Sequence, residues 1–315
     1  MTRAFVFPGQ GSQAVGMGKS IFESSAKARE VFGEVDEALK QNLSKLMFEG
    51  PIEELTQTEN AQPALLAVSM ALLSAMEKEA NIKLTNAAKF VAGHSLGEYS
   101  ALCANRTFSL TEAAKLLKLR GQAMQKAVPN GIGAMAALLG MNLEQAQEVA
   151  KLASNGKGEI CVAANDNSPE QVVISGHKVA VERALPIAKE RGAKRGLLLP
   201  VTVPSHSPLM APAADTMQQA LVNTRFGMPS LPLVANVTAK AEQDPNNLRK
   251  LLVEQMTNMV RWRESIQFLK SQGVTQIVEI GSGKVLTGLV KRIDPEIQLV
   301  NIEGPADIET FLKGM

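Results

Sequence analysis

Ser95 lies between two glycines in the segment GHSLG, residues 93–97. An apolar run precedes this segment and a helical pattern starts at Leu96, which is typical of a sharp turn from strand to helix. Small flanking residues are needed there because a bulky neighbour would collide with the backbone. The turn exposes Oγ as a nucleophile, and the N–H groups that follow can bind an oxyanion. A serine before a helix is also a common N-cap; the context favours the nucleophile and leaves the cap open.

A serine nucleophile needs a base, and the sequence has only three histidines. His94 adjoins Ser95, so a sharp turn directs its side chain elsewhere, and we expect it to pack or to form hydrogen bonds behind the turn. His177 starts an amphipathic helix and is predicted to be an exposed residue. His206 lies between two prolines in VPSHSP, so a rigid loop could hold its imidazole over Ser95. We predict His206 as the base, with a structural loop histidine as the alternative.

Two polar residues interrupt the apolar stripes of predicted helices. Arg120 lies in the stripe of a helix that begins with the capping box Ser109 to Glu112. A buried guanidinium needs an anion, and an internal salt bridge is the commoner arrangement; together with a serine nucleophile, Arg120 predicts a bidentate clamp for an acidic substrate. Gln255 interrupts a second stripe, and its buried amide must be hydrogen-bonded in an internal network or in a site.

Composition excludes several functional classes. The chain has 315 residues, 45% of them hydrophobic and 20% charged, so it forms one large domain or two unequal ones. A net charge of +2 gives no reason to expect a nucleic-acid partner. Cys103 and Cys161 lack the spacing of a zinc or disulfide framework, and the N-terminus has no secretory pattern, so we expect a reducing cytoplasm. The apolar run 63–76 is shorter than the ~20 residues that cross a bilayer, so we predict a buried helix that Gln62 and Pro63 open, and no membrane partner.

Two glycine-rich segments imitate phosphate-binding loops. GQGSQA at 9–14 follows a strand, but no second strand ending in an acidic residue follows at the distance that a dinucleotide site requires. GSGKVLTG at 281–288 lacks the earlier glycine and the hydroxyl residue after lysine of a Walker loop. Both are better interpreted as strand-to-helix turns.

The predicted elements define an α/β fold. Short buried strands are expected at 3–7, 88–93 and 275–280. Each leads into a loop or helix, which predicts a mainly parallel sheet. A different order follows, with strands at 134–141, 159–165, 171–176 and 195–201 and helices at 143–153 and 177–191. This β-α-β-β-α-β order predicts a ferredoxin-like insertion at 129–204 within a core formed by 1–128 and 205–315.

Five motifs, in this order along the chain, closely resemble the malonyl-CoA:acyl carrier protein transacylase family of type II fatty acid synthesis. They are FPGQGSQ at 7–13, GHSLGEYSAL at 93–102, RGQAMQ at 120–125, VPSH at 203–206 and GKVLTGL at 283–289. The resemblance implies a hydrolase-like α/β core with a ferredoxin-like insertion. It also implies malonyl-CoA and acyl carrier protein as partners and no cofactor, since the coenzyme A thioester is a substrate.

The resemblance also implies roles for individual residues. Ser95 matches the nucleophile, His206 the base and Arg120 the residue that binds the malonyl carboxylate. Further matches are Gln10 and Leu96, for the oxyanion N–H groups, and Gln255, for a main-chain carbonyl that orients the histidine. The family uses a Ser-His dyad without a third carboxylate, and no acidic partner is obvious in this sequence.

Two residues depart from the family pattern. Met259 stands where proline is usual before VRW, and Ser282 stands where GPG is usual. We expect Met259 to loosen the segment that carries Gln255.

Other activities remain open from the sequence. A serine hydrolase or thioesterase would use the same nucleophile with water as acceptor, and a polyketide-type acyltransferase would select another extender unit. In a non-enzymatic alternative, Ser95 is a helix cap and the fold only binds an acidic partner.

Overall fold

The computed structural model of the chain describes residues 1–78, 80–154 and 158–314. The strands among these residues are β1 Arg3–Phe7, β2 Phe90–Gly93, β3 Gly133–Leu139, β4 Cys161–Ser168, β5 Gln171–His177, β6 Arg195–Leu198, β7 Leu233–Val234, β8 Ala241–Glu242, β9 Gln276–Ile280 and β10 Gln298–Ile302. The helices are α1 Lys19–Ser24, α2 Ala26–Leu39, α3 Leu43–Glu49, α4 Ile52–Leu55, α5 Thr58–Lys78, α6 Leu84–Ala87, α7 Gly97–Ala104, α8 Leu110–Lys126, α9 Leu143–Ala153, α10 Lys178–Glu190, α11 Ala211–Val222, α12 Pro245–Glu254, α13 Trp262–Ser271, α14 Val285–Ile293 and α15 Pro305–Lys313. A 3₁₀ turn at Pro208–Met210 precedes α11.

The larger sheet has six strands in the order β10-β9-β1-β2-β7-β8. Its neighbours pair in parallel except for β8, which runs antiparallel to β7. The register pairs Phe7 at the end of β1 with Gly93 at the end of β2, so the loops after these strands meet at one edge of the sheet. The predicted α/β class with a mainly parallel sheet is confirmed.

The smaller sheet is antiparallel, with the strand order β4-β5-β3-β6. With α9 and α10 it follows the predicted order of strand, helix, strand, strand, helix, strand. All six elements lie within 129–204. The boundaries of the two-part division stay a prediction.

The central strand β1 is apolar on both faces because both faces are covered. Phe5 and Phe7 pack on the side of α2, α5 and α8, in the largest core cluster. Ala4 and Val6 pack on the opposite side, with Trp262 of α13. This two-sided burial is typical of a strand in the middle of a parallel sheet.

Helix α5 crosses the large core and begins earlier than the sequence suggests. It starts at Thr58, because the N–H groups of Asn60 and Ala61 donate to the carbonyl of Gln57 and close a turn ahead of the proline. The predicted opening at Pro63 was therefore wrong, and Pro63 lies inside the helix. The apolar run is buried as expected, and within the described residues no helix is long and apolar enough to span a bilayer.

Candidate active site

Ser95 lies on a strained turn between β2 and α7. Its φ is 53°, in the left-handed region that L residues rarely adopt. A Cβ on Gly93 would lie 1.9 Å from the carbonyl oxygen of Gly97, and a Cβ on Gly97 would lie 2.2 Å from that of Phe7. Both flanking glycines are therefore required for the tight turn. Leu96, which follows Ser95, occupies the N-cap position of α7.

The loop before α11 brings His206 to Ser95. Ser95 Oγ and His206 Nε2 are 2.8 Å apart, and His206 Nδ1 is 2.8 Å from the main-chain oxygen of Gln255. A carbonyl only accepts, so this network assigns the ring proton to Nδ1 and leaves Nε2 to accept from Ser95 Oγ. His206 also has a positive φ of 58°. The rigid loop therefore holds the imidazole as an acceptor on the serine.

Burial holds His206 in its neutral form. The residue is 3% exposed. Burial, reinforced by the positive charge of Arg120, lowers the pKa of His206 from 6.5 to about 3, although the Gln255 hydrogen bond opposes this shift. The imidazole is thus uncharged at neutral pH and able to take a proton.

Arg120 of α8 points into the same site. The helix begins with the predicted capping box, in which both reciprocal hydrogen bonds are present. One guanidinium nitrogen, Nη2, donates to Ser95 Oγ at 3.1 Å and to Gln255 Oε1 at 2.9 Å. The other, Nη1, donates to Gln62 Oε1 at 2.8 Å. Nε is buried without a hydrogen-bond partner, and Arg120 forms no ion pair, within the part of the chain that the structure describes.

Gln255 connects the base, the arginine and the serine. It ends α12 and is fully buried. Its main-chain oxygen accepts from His206, while its side-chain oxygen accepts from Arg120. Its amide nitrogen donates to the main-chain oxygen of Ser95 at 3.0 Å and to a carboxyl oxygen of Glu98. The sequence left open whether Gln255 belongs to an internal hydrogen-bond network or to a site. In the structure the network and the site are the same cluster of residues.

Within the described residues, two residues that line the same cavity as Ser95 have backbone N–H groups without an acceptor. The N–H of Ser95 itself donates to Asn236 Oδ1 at 2.8 Å. The N–H groups of Leu96 and Gln10 have no acceptor among residues 1–78, 80–154 and 158–314. Gln10 lies in the loop after β1, next to the turn, and its side-chain amide reaches Thr58 Oγ1 at 3.4 Å. Free N–H groups next to a nucleophile are what an oxyanion hole requires.

Ser95, His206 and Arg120 line a cavity of about 320 Å³ between the two sheets. The large core also contributes Gln10 and Leu96, and the small sheet contributes Met135, Ala137 and Asn165. Asn167 of β4 ties the two parts together, since its Oδ1 is 2.8 Å from His94 Nε2 behind the turn. No group of three or more His, Cys, Asp or Glu side chains that could hold a metal ion occurs within the described chain.

The other singled-out residues have structural contacts. His94 is hydrogen-bonded behind the turn, as expected. The prediction that His177 is simply exposed was wrong, because it is half-buried at the end of β5 and its Nδ1 accepts from the N–H of Ile160 at 2.8 Å. The residue after Met259, Val260, donates to the carbonyl of Ala164, which anchors that segment to β4. Ser282 Oγ donates to the carbonyl of Ser12 at 2.8 Å, beside the loop that carries Gln10.

Sequence reasoning missed three buried polar residues of the site. Gln62 is 1% exposed and was considered only as part of a helix opening, because it lies just ahead of the apolar run 63–76 and interrupts no stripe. Asn236 follows β7 and binds both sides of the turn, through Ser95 N–H and the carbonyl of Gly93. Burial raises the pKa of Glu98 to about 8, while hydrogen bonds from Gln255 and Asn236 and the charge of Arg120 oppose the rise.

A serine on a strand-to-helix turn, bonded to a neutral histidine and flanked by free N–H groups, is the arrangement of enzymes that form acyl-serine intermediates. The chain belongs to the acyl transferase domain family, whose model matches residues 4–294.

Individual relatives agree over the whole chain. The malonyl CoA-acyl carrier protein transacylase of Bacillus subtilis (strain 168) is 45% identical over 98% of this chain and 96% of its own length. The crystal structure of acyl-carrier-protein-S-malonyltransferase from Bartonella henselae has a TM-score of 0.97 at 50% identity, over 100% of this chain and 99% of that chain. A malonyl-transacylase in complex with its type II PKS acyl-carrier protein has a TM-score of 0.96 at 42% identity, over 100% of both chains.

Proposed function

We propose that this protein transfers the malonyl group of malonyl-CoA to the phosphopantetheine thiol of acyl carrier protein, through a malonyl-serine intermediate, for fatty acid biosynthesis. The observation that carries the proposal is the contact of three groups at one atom. Ser95 Oγ lies 2.8 Å from His206 Nε2 and 3.1 Å from an Arg120 nitrogen. A nucleophile, its base and a cation for an acidic acyl group thus meet at one end of the cavity. The names of the relatives point to the same substrates.

In the first half-reaction, Ser95 attacks the malonyl thioester. His206 Nε2 takes the Oγ proton as the Oγ–C bond forms, and the carbonyl oxygen becomes an oxyanion. The N–H groups of Gln10 and Leu96 stabilise that oxyanion, an effect worth about 3 kcal/mol per donor. When the intermediate collapses, the C–S bond breaks and the coenzyme A sulfur leaves with the proton from His206. The product is a malonyl ester of Ser95.

In the second half-reaction, the thiol of the carrier's phosphopantetheine enters the site that coenzyme A has left. His206 takes the thiol proton, the sulfur attacks the ester carbonyl, and the same N–H groups hold the oxyanion. The Oγ–C bond then breaks, and Oγ recovers its proton from His206. The two halves share one base, so we expect ping-pong kinetics with parallel double-reciprocal plots.

Arg120 accounts for a preference for malonyl over acetyl. The malonyl carboxylate can accept from the guanidinium, whereas an acetyl group would leave a buried cation without an anionic partner. We therefore expect Arg120→Ala to lose the malonyl preference while Ser95 still forms an acyl ester. An unchanged preference would remove Arg120 from this role.

The first experiment is to mix the protein with malonyl-CoA, quench in acid, and record intact and peptide mass spectra. We expect a malonyl adduct on the Ser95 peptide, no adduct on Ser95→Ala, and loss of the adduct when pantetheinylated carrier protein is added. Both arms use the same preparation, so the carrier step is tested on the enzyme that was acylated.

The other activities give different results. No adduct and no free coenzyme A would refute Ser95 as a nucleophile, whereas steady release of coenzyme A without a carrier would indicate a hydrolase. A larger adduct from another extender thioester would indicate a polyketide-type acyltransferase. We place the reaction in the cytoplasm and require no cofactor, both on the sequence considerations alone.

A further inference from the structure

Arg120 is held by two uncharged amides. Gln62 Oε1 accepts from Nη1 at 2.8 Å, and Gln255 Oε1 accepts from Nη2 at 2.9 Å. Both glutamines are at least 99% buried. The nitrogen of the Gln62 amide faces the Met124 sulfur at 3.4 Å, so its oxygen points to the arginine. Neither amide reduces the positive charge of the guanidinium.

The other titratable groups near Arg120 are largely uncharged at neutral pH. Burial raises the pKa of Glu98 to about 8 and that of Tyr99 to about 12, and it lowers the pKa of His206 to about 3. Arg120 thus carries the charge of this buried cluster. A buried arginine is ordinarily paired with a carboxylate, since an unpaired buried charge costs several kcal/mol. Arg120 forms no ion pair among the described residues, which is an independent reason to expect an anionic ligand here.

We propose that Gln62 is a specificity-determining residue, because its neutral amide holds Arg120 in place while it leaves the positive charge available to the carboxylate of an acyl group. This inference rests on the proposed function, in which that carboxylate belongs to the malonyl group. With a neutral amide at position 62, the site favours acyl groups that carry a carboxylate. A carboxylate at the same position would disfavour them.

The physical reason is competition for one cation. In Gln62→Glu, a carboxylate of nearly the same shape would lie at hydrogen-bond distance from Nη1 and form an internal ion pair. The malonyl carboxylate would then bind a site that is already neutral, and it would also lie near a second anion. Acetyl-CoA carries no carboxylate on its acyl group and loses nothing by this change.

The experiment compares Gln62→Glu with Gln62→Met, which removes the amide without adding charge. For each variant, single-turnover acylation of Ser95 is measured with malonyl-CoA and with acetyl-CoA on the same preparation, so that any inactive fraction cancels from the ratio. We expect the malonyl-to-acetyl ratio to fall about a hundredfold in Gln62→Glu and less than about tenfold in Gln62→Met. Equal ratios in the two variants, or a wild-type ratio in Gln62→Glu, would overturn the inference.

Two further measurements close the test. In the Arg120→Ala background, Gln62→Glu should lower the ratio much less than about a hundredfold, because only the repulsion between the two carboxylates remains; an equal fall in both backgrounds would contradict the inference. If Gln62→Glu does not fold, Gln62→Asp places a carboxylate on the same side of the guanidinium and decides by the same ratio. Failure of the wild-type protein to acylate Ser95 would instead refute the proposed function.

Discussion

The buried imidazole of His206 makes a quantitative prediction about acid. An ordinary histidine of pKa 6.5 would lose its base form between pH 7 and pH 5, where only about 3% would stay neutral, so acylation would slow about 25-fold. Burial and the charge of Arg120 lower the pKa of His206 to about 3. We therefore expect kcat/KM for acylation by malonyl-CoA to change by less than about twofold over this range.

The choice of range separates His206 from its neighbours. Burial raises the pKa of Glu98 to about 8, which is above the upper end of the assay range at pH 7. Burial lowers the pKa of His94, the other histidine beside Ser95. A carboxylic acid of ordinary pKa, about 4, keeps the malonyl group mostly ionised at pH 5. The assay is a quenched single-turnover reaction after a pH jump, read by intact mass, since kcat/KM reports the free enzyme. A half-loss of rate near pH 6.5 would refute the burial argument.

Stability must respond to pH even though the rate does not. The pKa of His206 is lower in the folded chain than in the unfolded one, so the unfolded chain binds the proton first as the pH falls. This group therefore lowers the free energy of unfolding below about pH 6.5, by about 2 kcal/mol between pH 7 and pH 5. Glu98, whose pKa burial raises to about 8, acts in the opposite direction over the same range. Urea unfolding is therefore measured for the wild type and for His206→Gln at both pH values, and the difference between the two proteins should change by about 2 kcal/mol; an unchanged difference would contradict the burial argument. For this reason the rate assay must be faster than unfolding.

Two other substitutions test the turn. Gly97→Ala would place a Cβ 2.2 Å from the carbonyl oxygen of Phe7, and we expect urea unfolding to show a loss of about 3 kcal/mol or more. Gly288→Ala, on an exposed helix position with open space around it, is the matched control and should gain about 0.5–1 kcal/mol. Asn236→Ala removes the acceptor of the Ser95 N–H, so we expect both a loss of about 2 kcal/mol and slower acylation in a single-turnover assay. An unchanged acylation rate would contradict a role for Asn236 in holding the turn.

Elements with a local signal were predicted well. The strand at 3–7 has the predicted bounds, because its apolar run ends at Pro8, which cannot donate a hydrogen bond to a neighbouring strand. The capping box identified the start of α8, and helical periodicity then directed Arg120 inward. In each case a few neighbouring residues determine the local structure.

Elements that depend on distant partners were missed. Strands β7 and β8 have two residues each, too few for any alternation to be recognised. Strand β10 was also not predicted, and it is ordered by parallel pairing with β9 at the sheet edge. The exposure of His177 was predicted wrongly for the same reason. Its partner is the backbone of Ile160, the residue just before the neighbouring strand β4.

The site itself shows the same division. Ser95, His206 and Arg120 could be chosen from residue type and local pattern. Gln62 and Asn236 could not, because their importance comes from contacts across the fold, with Arg120 and Ser95 respectively. Only a structure brings such pairs together.

One guanidinium contacts both the nucleophile and the place where the acyl carboxylate is proposed to bind, and this links recognition to chemistry. In the unacylated site an Arg120 nitrogen donates to Ser95 Oγ. Once Oγ becomes an ester oxygen it is a weaker acceptor, so that N–H group becomes free for the malonyl carboxylate as the ester forms. In the proposed reaction the arginine therefore gains a stronger partner during acylation than before it, which would favour the transition state over the bound substrate. An acyl group without a carboxylate also weakens this hydrogen bond when the ester forms, but it supplies no new acceptor for the guanidinium. We therefore expect acyl groups with and without a carboxylate to differ in the rate of acylation and not only in binding.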